Sequence, residues 1–238
     1  MRFNQAEYAE YYHKQMIEAG YPGKLLPFIL NELEGSSTVI DIGSGTGFFS
    51  IPLAEAGHKV TAVEPSAEMI NIMKKNVSSE ILSSIEICRM YWENWSGELH
   101  DAAICVHSLY PMPDVKKAVR LINESAGKKI LIVRDAEKMK TLPGLVREKF
   151  GILSNRELNS EITAILNELS VSWKTVNINE ERKHIINDIQ HETDSILFQL
   201  KLDESLREDV FKIVNEAVNI NSGMNFFNAI YSDNAYIF

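Results

Sequence analysis

The sequence predicts an α/β protein built around a doubly wound, mostly parallel sheet. Short β-rich runs recur between residues 38 and 135, helical segments separate them, and a glycine-rich turn follows the first run. Strands that alternate with helices form right-handed crossover units, and the resulting sheet is buried on both faces. We therefore expect helices on both sides of a parallel sheet, with ligands bound at the carboxyl ends of its strands.

Two helices are predicted before the first strand. The first covers residues 4–19 and ends at "GYPG", and the second lies in "KLLPFILNEL", where apolar residues recur at helical spacing. Glycine, proline and serine then end each segment. We expect residues 1–35 to form a helical segment that contributes to a cap.

Five β-rich runs form the predicted centre of the sheet, at 38–42, 59–64, 84–90, 101–108 and 128–135. Each intervening segment is long enough for two or three helical turns. Ser66 and Asp114 stand where N-caps of two of these helices are expected.

The last hundred residues alternate less regularly. A sixth strand is predicted at 171–178, "EERK" at 180–183 is expected to be a solvated turn, and the chain ends with a β-rich run. Two amphipathic helices lie before that last run and are interpreted as an insertion at 186–222. The expected organisation is one domain, 1–238, with an α/β core at 36–185 and 223–238.

Composition and charge restrict the class of partner. The chain is 45% hydrophobic and 24% charged, with a formal net charge of −9. Such a charge disfavours non-specific attraction to nucleic acids or anionic membranes. No signal peptide or membrane span is recognised, and two cysteines without metal-ligand spacing are expected to be reduced. The predicted location is the cytoplasm, no metal site is expected, and a monomer and a homodimer both stay open.

The glycine-rich turn "DIGSGTG" at 41–47 is the most specific feature of the sequence. A Walker A loop would need Lys and Ser or Thr after its last glycine, where Phe48 and Phe49 stand. A dinucleotide fingerprint would need a small residue at Phe48, and Asp41 would face a pyrophosphate of like charge. A ligand with cationic groups and hydrogen-bond acceptors fits better, and Glu64, at the end of the second strand, can bind ribose hydroxyls.

The stretches "VIDIGSGTGFFSIPLA" and "HKVTAVEPSAEMINIMKK" resemble the first two motifs of the class I S-adenosylmethionine-dependent methyltransferases. The resemblance covers about residues 36–135 and extends to "HDAAICVHSLYPMPDVKKAVRLI" and "KKILIVRD". It implies a Rossmann-like, seven-stranded sheet in the order 3-2-1-4-5-7-6 with strand 7 antiparallel, together with a helical cap. It also implies S-adenosylmethionine as cofactor and S-adenosylhomocysteine as its product.

The resemblance carries specific roles onto this chain. Residues expected to bind the cofactor are Asp41, Gly43, Ser44, Gly45, Thr46 and Gly47 at the methionine moiety, Glu64 at the ribose, and Pro65 and Met69 at the adenine. After the third strand the family's acidic residue is replaced by Tyr91 and Trp92, and Trp92 could stack on the base. His107, at the end of the fourth strand, would face the methyl group.

The implied reaction is in-line displacement at the sulfonium methyl group, with a small molecule as acceptor. A general base is needed only if the acceptor holds its proton at neutral pH, and His107 and Tyr12 are the candidates, with no catalytic residue assigned. "HSLYPMPD" is similar to small-molecule methyltransferases and unlike the "NPPY" of DNA and amide methyltransferases. Two alternatives stay open: a non-catalytic cofactor-binding module and an NAD-type oxidoreductase.

Overall fold

A computed structural model describes residues 2–152, 158–221 and 224–238. Six predicted strands are present with small shifts of their ends: β1 (Thr38–Ile42), β2 (Lys59–Val63), β3 (Ile85–Cys88), β4 (His100–Val106), β5 (Ala126–Arg134) and β8 (Met224–Ile237). The other two strands, β6 (Lys174–Ile186) and β7 (Asn219–Asn221), depart from the prediction.

Ten α-helices are found among the described residues. They are α1 (Ala6–Glu18), α2 (Leu25–Glu32), α3 (Ser50–Glu55), α4 (Ala67–Lys75), α5 (Ser79–Leu82), α6 (Val115–Ser125), α7 (Leu142–Lys149), α8 (Leu158–Glu168), α9 (Ile189–Leu200) and α10 (Arg207–Ala217). The predicted N-caps are present, since the Ser66 hydroxyl accepts from the Met69 amide and the Asp114 side chain from the Lys117 amide.

The strand order is β3-β2-β1-β4-β5-β8-β6, which confirms the predicted order with β8 as the predicted strand 7. The first five strands pair in parallel. Lys129 pairs with Phe238, whereas Asp135 pairs with Ser232, so β8 runs antiparallel to β5. An eighth strand, β7, was not predicted, and it pairs antiparallel with the start of β8.

The sixth strand is longer than predicted, and the solvated turn expected at 180–183 is wrong. β6 continues through these residues to Ile186, with half-buried and exposed residues in alternation. The Arg182 guanidinium lies 4.6 Å from the centre of the Tyr231 ring, and the Lys183 ammonium 4.0 Å from that of Phe226. Charged residues remain in a strand here because their aliphatic stems and charges pack on aromatic rings.

Contacts divide the described chain into two compact units. The first comprises residues 1–133, 158–178 and 233–238, and the second residues 134–157 and 179–232. In the first unit, one face of the sheet packs on α6 and α8 and the other on α2 and α3. In the second, α7, α9 and α10 enclose a separate apolar cluster that includes Val146, Leu197 and Val214.

The predicted insertion at 186–222 lies within the second unit, and its predicted boundary at 222–223 lies outside the described residues. A cap formed by this insertion and by residues 1–35 stays a prediction. Within the first unit the two N-terminal helices behave differently. Leu25, Ile29 and Leu33 of the α2 segment are buried in the sheet core, whereas Ala9 of α1 packs against α4. No helix among the described residues is long and apolar enough to cross a membrane.

Candidate cofactor site

The glycine loop lies between β1 and α3, at the carboxyl end of the parallel strands. Gly43, Gly45 and Gly47 have φ angles of 73°, 55° and 87°, in the left-handed region that glycine adopts without a Cβ penalty. The amides of Gly43 and Ser44 donate to the Val63 carbonyl over 2.8 and 3.1 Å. The loop is therefore fixed to the end of β2.

The three glycines have different surroundings. A Cβ on Gly43 would overlap the Ser108 side chain, and one on Gly47 would lie 2.6 Å from the Met73 Cγ. A Cβ on Gly45 would meet no atom closer than the Gly43 carbonyl oxygen at 4.0 Å. Packing therefore requires glycine at Gly43 and Gly47, whereas the loop is open at Gly45.

Asp41 lies beneath the loop and is only 2% exposed. Side chains alternate along a strand, so Asp41 shares the α3 face of β1 with Val39. Its carboxylate accepts a 2.6 Å hydrogen bond from the Ser50 hydroxyl at the start of α3. Burial, partly offset by this bond, raises the pKa of Asp41 to about 7, and the charge of Glu64 contributes to the rise. The carboxylate thus joins β1 to α3, and its predicted contact with the cofactor stays a prediction.

Glu64 follows β2 and spans the loop from the other side. One carboxylate oxygen accepts from the Gly45 amide over 3.0 Å and the other from the Ser66 amide over 2.8 Å. Burial raises the pKa of Glu64, while the two backbone hydrogen bonds oppose the rise. Each oxygen retains a second lone pair, so the geometry is compatible with the predicted contact with two ribose hydroxyls.

Ser44 supplies an independent sign that the loop binds a polar ligand. Its hydroxyl is buried and has no hydrogen-bond partner among the described residues. A buried polar atom without a partner is costly, and native proteins rarely keep one without a reason. With the open face at Gly45 and the carboxylate of Glu64, this hydroxyl fits a ligand that carries hydroxyl, amino and carboxylate groups.

The first helix contacts the loop through a histidine that the sequence did not reveal. The His13 Nδ1 lies 2.9 Å from the Thr46 hydroxyl, and its ring centre lies 5.1 Å from that of Phe48. The Asn76 amide, which also donates to the Ile72 carbonyl, lies 3.3 Å from the His13 Nε2. Nε2 therefore accepts and Nδ1–H donates to Thr46, in a neutral ring whose pKa burial lowers. Only contacts distant in sequence distinguish His13 from a surface residue.

Tyr12, a candidate base, lies with the neighbouring aromatic residues on the α4 side of α1. Its ring meets that of Phe3 edge to face, with centres 5.4 Å apart, and packs on the cluster of Ala9, Met69 and Ile72. The Ser66 hydroxyl donates to the Phe3 carbonyl over 2.6 Å. This packing gives Tyr12 a structural role in holding α1 on α4.

The residues predicted at the adenine fall into two groups. Pro65 and the buried Met69 adjoin Glu64 at the start of α4, and their contact with adenine stays a prediction. Trp92 is only 2% exposed, and its indole nitrogen donates to the Ala118 carbonyl in the α6 core. This burial disfavours the predicted stack of Trp92 on adenine. Tyr91, 49% exposed at the same turn, is accessible to a ligand.

His107 directly follows β4, beside the glycine loop. Its Nε2 lies 2.7 Å from a carboxylate oxygen of Asp233 on β8, and its ring centre lies 5.9 Å from that of Tyr21. The next residue, Ser108, donates to the Ile42 carbonyl over 2.5 Å. Asp233 was not predicted, because 126 residues separate it from His107.

The two cysteines offer no reactive thiolate. Cys105 is buried, and burial raises the pKa of its thiol to about 12. Burial also raises the pKa of Cys88, and Glu86 adds to this rise. Within the described ranges no group of three or more His, Cys, Asp or Glu side chains is placed to bind a metal ion.

Comparison with known proteins agrees with this geometry. Residues 39–126 match a family model described as a methyltransferase domain. A relative from Methanosphaera stadtmanae, named as a ribosomal RNA small subunit methyltransferase A, is 31% identical over 58 residues, or 24% of this chain. The match spans 21% of that relative's length.

Solved structures extend the similarity over nearly the whole chain. The YcgJ protein of Bacillus subtilis has a TM-score of 0.60 and 15% identity, over 89% of this chain and 97% of that one. Magnesium protoporphyrin IX methyltransferase of Synechocystis, determined with bound S-adenosylhomocysteine, has a TM-score of 0.50 and 17% identity, over 93% and 82%. At these identities the similarity concerns the fold. The family match over residues 39–126, the glycine loop and the strand order show that the chain contains a methyltransferase domain with the class I fold.

Proposed function

We propose that the protein transfers a methyl group from S-adenosylmethionine to a small molecule. The observation that carries the small-molecule assignment is the contact of α1 with the glycine loop at 43–47, the proposed cofactor loop. His13 hydrogen-bonds Thr46, Glu10 pairs with Lys75, and Ala9 is fully buried against α4. A loop covered in this way favours an acceptor that can be enclosed over a flexible macromolecule.

The charge of the chain supports the same assignment. The formal net charge is −9, and binding to RNA normally depends on neutralising several phosphates with Lys and Arg. The Lys75 ammonium near α1 and α4 also pairs with the Glu10 carboxylate, which competes with binding of a phosphate there.

Different residues of the site would bind different parts of the cofactor. Ser44 and the loop at Gly45 would hold the amino-acid end of the cofactor, Glu64 its ribose, and Pro65, Met69 and Tyr91 its adenine. When bound, S-adenosylmethionine supplies an electrophilic methyl group on its sulfonium. Fixing the acceptor against that carbon supplies much of the rate, because effective molarities of well-oriented groups reach on the order of 10⁵ M.

One observation favours a second candidate, an RNA acceptor. The relative named as a ribosomal RNA methyltransferase matches 58 residues of this chain. Because that match covers only about a quarter of the chain, it supports a shared cofactor loop more directly than a shared acceptor.

Cofactor binding is tested by calorimetric titration with S-adenosylhomocysteine. Glu64→Gln should weaken binding about 10- to 100-fold, as for the loss of a charge-assisted hydrogen bond. The exposed Glu55→Gln, at the end of α3, is the control and should bind as the wild type does. Equal affinities for all three proteins would contradict the role of Glu64.

The acceptor class is tested with methyl-labelled S-adenosylmethionine, offered with a small-metabolite extract or with ribosomal RNA. We expect label in the metabolite fraction. Label in the RNA would overturn the small-molecule proposal. Intact S-adenosylhomocysteine binding without transfer to either pool would instead support the non-catalytic module.

A further inference from the structure

A histidine–carboxylate pair, half-buried at His107 and buried at Asp233, lies at the carboxyl end of β4, where the parallel strands end. The His107 Nε2 and the Asp233 carboxylate are 2.7 Å apart, and their side chains are 14% and 9% exposed. A carboxylate of this kind can only accept, so the Nε2 of His107 carries the hydrogen and the lone pair of the neutral ring is on Nδ1.

The backbone of His107 is strained. Its φ is 56°, and the other described non-glycine residues with positive φ are Ser170 and Lys201, which follow the ends of α8 and α9. A residue in the left-handed conformation commonly ends a helix. His107 instead follows a strand, so helix termination does not explain its positive φ. The His107 amide donates to the Ile132 carbonyl over 2.9 Å, which fixes this conformation. Strain of this kind concentrates at functional sites.

The pair adjoins the cofactor loop directly. Ser108, the residue after His107, bonds the end of β1 and occupies the space beside Gly43. The Tyr21 ring lies 5.9 Å from that of His107 and 5.2 Å from that of Phe48, which follows the loop. Both the backbone and the aromatic contacts therefore hold the imidazole beside the loop.

We propose that His107 is the general base of the methyl transfer and that Asp233 is its positioning residue. The acceptor is then an oxygen or nitrogen that still carries a proton at neutral pH, such as a hydroxyl or an ammonium group. This inference rests on the proposed function and specifies its substrate class. An acceptor atom with a free lone pair and no proton at neutral pH, such as a thioether sulfur, would need no such base.

The proposed step is balanced in atoms and charge. The acceptor atom forms a bond to the methyl carbon while the bond from carbon to sulfur breaks and its electron pair stays on sulfur. The proton of the acceptor moves to His107 Nδ1, and the Asp233 carboxylate stabilises the resulting imidazolium. Solvent then takes the proton, which restores the neutral ring.

One test does not need the acceptor. In protein labelled with ¹³C at histidine, saturation with S-adenosylhomocysteine should move the ring signals of His107, because its imidazole lies beside the glycine loop. His58, which lies just before β2 and has its Nδ1 2.8 Å from the Ser36 carbonyl oxygen, is the internal control, and its ring signals should not move. Ring signals of His107 that S-adenosylhomocysteine leaves unchanged would overturn the proposal.

The second test uses the acceptor found by methyl labelling. His107→Gln can still donate to Asp233 but cannot take a proton, so kcat should fall about 10²- to 10⁴-fold with S-adenosylhomocysteine affinity unchanged. Asp233→Asn should lower kcat at least about 10-fold and move the acid limb of the pH profile to lower pH, because the charge favouring imidazolium is lost. His58→Gln should behave as the wild type.

Different results would overturn the proposed function and the proposed roles of His107 and Asp233. Without S-adenosylhomocysteine binding by the wild type, the proposed function is wrong. With binding intact, a normal rate and pH profile in His107→Gln, or methylation of an atom that carries no proton, such as a thioether sulfur, would overturn only the roles of His107 and Asp233.

Discussion

Gly43 and Gly35 have similar backbone conformations but different surroundings. Their φ angles are 73° and 84°, yet a Cβ would overlap Ser108 at Gly43 and meet nothing within 4 Å at Gly35. The requirement for glycine in the cofactor loop is therefore one of packing as well as of dihedral angle.

This comparison predicts the effect of alanine at the two positions. Gly35→Ala should cost about 1 kcal/mol, the penalty of a left-handed residue, and Gly43→Ala about 2 kcal/mol more, because Ser108 must move. Urea unfolding measures both. Equal losses of unfolding free energy would show that the Ser108 contact is easily relieved.

The buried Asp41 predicts a pH dependence of stability. Its pKa is about 7 in the folded protein and close to 3.8 when exposed, so the folded state keeps a proton that the unfolded state releases between these values. The free energy of unfolding should therefore fall as pH rises from about 4 to about 7, by up to about 4 kcal/mol.

Asp41→Asn should flatten this dependence, because the amide does not titrate. The exposed N-cap variant Asp114→Asn is the control and should keep the wild-type slope. Chemical unfolding between pH 4 and 8 measures all three proteins, and an unchanged slope in Asp41→Asn would assign the effect to other groups.

At the scale of elements, α4 connects the cofactor site to the N-terminal segment. Ser66 caps α4 through the Met69 amide and also donates to the Phe3 carbonyl. Ser78 caps the short helix α5 through the Ile81 amide on an exposed surface. The two serines thus share one local role, and only Ser66 makes a long-range contact.

Alanine substitutions at Ser66 and Ser78 should therefore have unequal effects on stability. Ser78→Ala should cost about 0.5–1 kcal/mol, as expected for an exposed cap, whereas Ser66→Ala should cost about 2 kcal/mol because a buried hydrogen bond is also lost. Hydrogen exchange in α1 should become faster in Ser66→Ala only. Unaltered exchange there would contradict a role of Ser66 in holding the segment.

At the scale of the whole molecule, the alternation of strands and helices predicted a parallel sheet, because parallel strands require crossover helices. The order of the strands was implied by the resemblance to the class I methyltransferases. The length of β6 and the existence of β7 did not follow. Residues 180–183 are charged, and their place in a strand depends on Tyr231 and Phe226 from β8. Local sequence does not contain that information.

The division into two units was likewise not visible along the chain. Each unit is assembled from separate segments, so its boundaries depend on contacts between residues far apart in sequence. Composition and net charge, by contrast, are properties of the whole chain that folding does not change, and a net charge of −9 disfavours non-specific binding to nucleic acids.

The sequence by itself determined the parallel sheet and the glycine loop with Glu64 beside it, and its resemblance to the class I methyltransferases implied the sheet order and the methyl donor. These depend on patterns within a few residues: strand and helix periodicity, and an acidic residue before three alternating glycines. Only the tertiary structure decided that His13 contacts Thr46, that Trp92 lies in the core and that Asp233 pairs with His107. Those facts depend on side chains brought together from distant segments, whose pairing no local pattern encodes.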